Sequence, residues 1–167
     1  MSFKKSKGVG RKGERKVFDL LNSLGFECEF DTDHKKNKWD LVFEYGSEKV
    51  TIEVKNDLMS CLTGNIAIEV HNPKKNVASG LMCTDATLWI HIVPNRAIYI
   101  ARVDKLKDFV KSSPFMKFFS AGGDQNADLI LYKKDMIVGK GLFLFPEDDT
   151  KITLCVLEKL LENRNVE

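Results

Sequence analysis

The feature that most constrains this chain is a two-residue interruption, Gly46-Ser47, between two strand-like runs, Trp39–Tyr45 and Glu48–Asn56. A two-residue loop with glycine first suits a type II′ turn, and such a turn fixes the register of the strands it joins. Tyr45 then faces Glu48, Phe43 faces Val50, Leu41 faces Ile52, and Asp40 faces Glu53. Side chains alternate between the two faces of a hairpin. One face holds Leu41, Phe43, Val50, Ile52 and Val54 and needs a core to cover it. The other holds Asp40, Val42, Glu44, Lys49, Thr51, Glu53 and Lys55.

Glu44 opposite Lys49 is an ordinary cross-strand ion pair. Asp40 opposite Glu53 is not, because like charges about 5 Å apart destabilise a sheet unless something compensates them. A hard divalent cation such as magnesium, bound by carboxylate oxygens, is the natural compensation. Lys55 lies on the same face two residues beyond Glu53. Four acid-x-lysine triplets occur: Glu14-Arg15-Lys16, Asp33-His34-Lys35, Glu53-Val54-Lys55 and Asp149-Thr150-Lys151. Only the third sits inside an apolar strand with a carboxylate matched across a hairpin.

Around the hairpin, periodicity predicts a helix from Arg11 to Leu24, with Val17, Phe18, Leu20, Leu21 and Leu24 as its apolar stripe. Gly25 stands where a helix-ending glycine belongs. Glu14 extends the face of Phe18 and Leu21, so docking that stripe on the sheet aims it at the acidic pair; a position in the first turn, favourably near the helix dipole and pointing to water, is the alternative. Strands are expected at Phe26–Phe30, Asn65–Val70, Leu88–Val93, Ala97–Val103, Asp128–Tyr132 and Leu142–Phe145. Helices are expected at Asp104–Ser112 and, capped by Asp149, at Thr150–Asn163. Glu69 is a third candidate ligand if its strand neighbours Glu53, and an outward-facing residue if not. His71 shares that condition. His91, inside an apolar strand, reads as a core histidine.

Charge is unevenly spread. Residues 1–16 carry seven cations (Lys4, Lys5, Lys7, Arg11, Lys12, Arg15, Lys16) against Glu14, a net +6, which leaves −4 for the rest of a chain whose total is +2. Lys35, Lys36 and Lys38 form a second basic cluster. Localised cations on a near-neutral body suit a polyanion, since each phosphate neutralised releases counterions; a solvated tail is the plainer alternative. At 167 residues with 43% hydrophobic content, disorder is excluded and one domain is expected: residues 11–167, after a flexible basic arm at 1–10. The core would span 11–103 and an elaboration 104–167. No apolar run is long enough for a membrane span. Cys28, Cys61, Cys83 and Cys155 form no C-x-x-C pair and read as reduced thiols of a cytoplasmic protein.

Asp40, the hairpin, Glu53-Val54-Lys55 and the upstream Glu14 together resemble the PD-(D/E)XK nuclease superfamily, with Trp39 in place of its proline. Gly10-Arg11-Lys12-Gly13-Glu14 and Leu24-Gly25-Phe26 are similar to the start of archaeal Holliday junction resolvases and YraN-like proteins. The likeness covers about residues 8–56. It implies an α/β, restriction-endonuclease-like αβββαβ core with a mixed central sheet, extended at the C-terminus by strands and a helix. It implies a magnesium-dependent DNA endonuclease, with manganese as a substitute metal, acting in recombination or repair. Structure-selective cleavage of the resolvase type, as a homodimer by analogy, is the first expectation. Restriction-like or exonuclease activity, or a non-catalytic DNA-binding protein of the same fold, are the alternatives. Asp40, Glu53 and the Val54 carbonyl would bind metal, with Glu14 or Glu69 assisting. Lys55 would orient or activate water. Lys4, Lys5, Lys7, Arg11, Lys12, Lys35, Lys36 and Lys38 would hold the DNA backbone.

Overall fold

A computed structural model describes residues 3–33, 38–114, 117–121, 127–146, 148 and 150–162. The first helix, α1 (Phe3–Ser23), begins eight residues before the expected Arg11 and runs through part of the stretch expected as an arm. Lysine is a good helix former, and isolated glycines such as Gly8 and Gly10 weaken a helix without ending it. α1 stops as the sequence indicates. Gly25, at φ +91°, gives its N–H to the Asn22 carbonyl, and the Phe26 N–H bonds the Leu21 carbonyl. That double closure is the Schellman motif, which only glycine adopts without strain.

The chain continues through β1 (Glu29–Phe30), β2 (Leu41–Tyr45), β3 (Glu48–Asn56), a single turn α2 (Ser60–Thr63), β4 (Asn65–Asn72), β5 (Val77–Ala78) and a 3-10 turn (Gly80–Met82). It then forms β6 (Leu88–Val93), β7 (Ala97–Arg102), α3 (Val103–Ser112), β8 (Lys117–Ala121), β9 (Ala127–Lys133), α4 (Lys134–Ile137), β10 (Phe143–Phe145) and α5 (Thr150–Glu162). β1 is shorter than expected and β4 longer; β8 was not legible in the sequence. Asp149, expected to cap α5, lies outside the described residues.

Two sheets result. The larger is a mixed sheet of six strands, β1-β2-β3-β6-β7-β10, in which β3 and β6 run parallel and every other pair antiparallel. The smaller is antiparallel, β5-β4-β9-β8. One face of the large sheet packs Leu41, Phe43, Val50, Ile52, Leu88, Ile90 and Ile100 against Val17 and Leu21 of α1 and Leu157 and Leu161 of α5. Its other face, through Trp89, Tyr99 and Ala101, packs against Ile66, Ile68 and Tyr132 of the small sheet and Leu106 and Val110 of α3. Trp89 is fully buried there, a packing residue rather than a platform for bases.

Candidate active site

The hairpin register is the one its turn dictates. Leu41 pairs with Ile52, Phe43 with Val50, and Tyr45 with Glu48. Gly46 takes φ +62° while Ser47 stays out of the positive region, as a type II′ turn requires. The last registered pair is Leu41–Ile52; beyond it the Asp40 N–H bonds the Ile52 carbonyl at 2.8 Å, a bulge-like bond that ends the regular ladder, so the expected facing of Asp40 and Glu53 is not kept as a register pair. Asp40 still lies close enough for its charge to act on Glu53. Its Oδ2 accepts the Val54 N–H at 2.8 Å, which fixes the carboxylate against β3.

Glu53 and Lys55 share their face with Trp89 and His91, their partners across the parallel ladder. This is the face that looks toward the small sheet. The Lys55 Nζ donates to Glu53 Oε1 at 2.5 Å and lies 5.6 Å above the Trp89 ring. Burial drives the Glu53 carboxyl above its ordinary range; Lys55 pulls it back, and Asp40 pushes it up again. Burial alone would lower Lys55, but Glu53, then Asp40 and Glu69, outweigh it and hold the ammonium above its usual range. Lys55 is thus a cation at neutral pH, with a third of its side chain still open to water.

Glu69 enters by a route the sequence does not show. β4 does not neighbour β3; it belongs to the small sheet and pairs with β9. Even so, the Glu69 charge acts on Lys55, and on Cys83, whose thiol is raised first by burial and then by Glu53 and Glu69. Gly80, at φ +52°, presses against Glu69: a Cβ there would lie 2.5 Å from the Glu69 carbonyl oxygen. Thr84, 1% exposed, is a further component that sequence reasoning missed. Its hydroxyl donates to the Lys38 carbonyl at 2.5 Å and lies 3.5 Å from Glu53 Oε2. One proton serves one strong bond, so Glu53 receives little from it. No local pattern marks Thr84; the long-range fold brings it in.

Glu14 is not drawn onto the acidic pair by any contact described. It lines a cleft of about 290 Å³ with Arg11, Arg15, Phe30 and Asp31. The Asp31 N–H bonds the Asp40 carbonyl at 2.8 Å, so the cleft adjoins the pair through one backbone link. α1 is held close by Gly13, where a Cβ would meet the Asn56 side chain at 2.9 Å, and by the Asn56 amide on the Val9 carbonyl. Of the expected DNA contacts, Arg11 and Lys12 are exposed, and Lys38 pairs with Asp85 at 3.3 Å on the surface. The side chains of Lys4, Lys5 and Lys7, together with Lys35 and Lys36, lie outside the described residues. His71 is taken by Asp128, at 2.8 Å.

Among the described residues, no three His, Cys, Asp or Glu side chains converge as a ready metal cluster. The donors on offer are the two carboxylates and the Val54 carbonyl. All are hard oxygens, and Glu53 is raised first by burial and further by the Asp40 charge, against the pull of Lys55. That donor set fits a hard divalent cation.

No family model matches the sequence, and no curated protein matches it. The fold is similar to that of a bacterial homing endonuclease, I-Ssp6803I, with a TM-score of 0.50 and 17% identity over 72% of this chain and 84% of that one. At that identity the likeness is one of fold. No helix among the described residues is long and apolar enough to cross a membrane.

Proposed function

We propose that the chain is a metal-dependent DNA endonuclease of the PD-(D/E)XK type. The observation that carries this reading is a carboxylate pair with a lysine at the open end of the hairpin: Asp40, oriented by the Val54 N–H, acts on a largely buried Glu53 that is bonded by Lys55 and driven toward its protonated form. The nuclease-like fold supports it.

Asp40 and Glu53, with the Val54 carbonyl, would hold magnesium, or manganese in its place. The metal would supply a polarised phosphoryl oxygen and a more acidic bound water. The chain's own residues do the rest. The hairpin sets the two carboxylates at one spacing, so positioning needs no reorganisation when substrate binds. Asp40 stays oriented by the Val54 N–H. Lys55 is an ammonium and a hydrogen-bond donor; it orients the attacking water and offsets charge on the phosphate rather than abstracting a proton. Glu53 holds that ammonium in place, and the charge of Glu69 favours its charged form. Arg11 and Lys12 on α1 meet the DNA backbone, a contact that positions without reading sequence. Hydrolysis would break the P–O3′ bond and leave a 5′-phosphate.

Within this activity, structure-selective cleavage of the Holliday junction type is the first assignment. Site-specific cleavage of duplex DNA is the second, favoured because the likeness to the homing endonuclease extends well beyond the hairpin, over 72% of the chain. One assay separates them: duplex, single-stranded and four-way-junction DNA, each in magnesium or EDTA, with wild type, Asp40→Ala and Lys55→Ala. Cleavage is expected in magnesium alone and in wild type alone. Cleavage that persists in EDTA or survives both substitutions overturns the reading.

A further inference from the structure

Immediately after β3 the chain makes a turn built in an unusual way. Its inner side is a dense polar anchorage. Asp57 Oδ1 accepts the Met59 and Ser60 N–H groups at 3.0 Å each, and Oδ2 accepts the Ser60 hydroxyl at 2.5 Å and the Ala67 N–H at 3.3 Å. His91 Nε2 closes on the same oxygen at 3.3 Å, and the Cys61 thiol bonds the Pro94 carbonyl. Its outer side carries Met59 and Leu62, 60% and 81% exposed. Residues three apart on a helical turn share one side, so the two form a single apolar knob on a rigid base. The network accounts for the rigid base of the turn, and it leaves the exposure of the two hydrophobes unexplained.

The surroundings of the knob indicate what it meets. The residues that follow Leu62, namely Thr63, Gly64 and Asn65, line an open cleft of about 540 Å³ whose other wall carries Lys133 and Lys134 with Asp135, a net positive charge of one. The knob thus stands beside exposed cations, as groove-entering wedges of leucine and methionine do in proteins that part base steps. Its place in the chain is also suggestive. Four residues of extended chain span at most about 14 Å, so Met59 lies within about four base steps of Lys55 on a duplex rising about 3.4 Å per step.

We infer that Leu62, with Met59, is a wedge that enters the minor groove of duplex DNA and opens a base step close to the cut, while Lys133 and Lys134 hold neighbouring phosphates. The inference rests on the nuclease reading and names a substrate distortion for it. The test uses the full chain in EDTA, with relaxed closed-circular plasmid and a type I topoisomerase that needs no metal. Parted base steps unwind the helix and appear, after protein removal, as a shift in linking number. Wild type is expected to retard the plasmid at low salt and shift its topoisomers. Leu62→Ser and the Met59→Ser, Leu62→Ser pair are expected to retard it but lose the shift. Both changes are at exposed positions, and unchanged melting confirms intact folding. Lys133→Ala with Lys134→Ala should weaken retardation. A wild type that does not retard plasmid overturns the wedge, while the nuclease reading stands or falls on the cleavage assay in magnesium. Retardation without a shift, or a shift that survives both serine variants, overturns the wedge alone. A fall in sedimenting mass on Leu62→Ser overturns it in favour of contact between two copies of the chain.

Discussion

Glu53 and Asp57 are two carboxylates four residues apart, both largely buried, both beside a nitrogen base, and they are pushed in opposite directions. Asp57 is held down, to about 2, although its burial opposes this: His91, the Ser60 hydroxyl and backbone N–H groups together outweigh desolvation. Glu53 has one strong partner, Lys55, and a like charge across the hairpin, and burial wins. The lesson concerns supply of donors. A carboxylate with five of them is finished as a structural element, whereas one with a single cation and a facing acid still has a deficit that a ligand can fill.

The largest effect that would break this contrast is on chemistry. Lys55→Ala should lower cleavage by about 10²–10³-fold, the range for loss of one positioned donor at developing charge, and Asp40→Asn, which removes a metal-holding carboxylate, should lower it at least as far. Neither should unfold the protein, which melting in EDTA would check. Asp57→Ala should reverse that pattern. It strips His91 of its acceptor while Nδ1 already lies buried with no hydrogen-bond partner among the described residues. A loss of about 3 kcal/mol in urea denaturation is expected.

Next is pH. A carboxyl lowered from 3.8 to about 2 contributes about 2 kcal/mol of stability, present above pH 4 and lost as pH falls toward 2. Asp57→Asn should flatten wild-type acid unfolding in that window; a curve unchanged by the substitution would count against the contrast. Magnesium sharpens the other side. At a hundred times its Kd it should raise wild-type stability by about 2.7 kcal/mol, with no rise in Asp40→Asn. The smallest effect falls on affinity: Arg11→Ala should reduce the slope of log binding against log salt by about one.

The hairpin was legible because a two-residue turn leaves one register, which holds from Tyr45–Glu48 to Leu41–Ile52; the bulge-like bond of Asp40 just beyond it was not legible. The end of α1 was legible for a similar local reason, Gly25. What the sequence hid depends on distant pairing. Whether Glu69 approaches Lys55 depends on β4 choosing β9 over β3, and no local pattern encodes that choice. Thr84 and His91 find their partners in the same long-range way. The start of α1 was missed because charge, which suggests a solvated arm, outweighed lysine's helix propensity.

The parallel alignment of β3 with β6 has a consequence for assembly. The chain must cross over between them, and the crossing carries β4, whose own partner, β9, lies much later in the sequence. The hairpin closes on local contacts, within microseconds, while β4 has to wait for the last third of the chain. A nascent chain ending before Ala127 would therefore leave Ile66 and Ile68 without their β9 cover, and fragments cut there should aggregate rather than fold as a smaller domain.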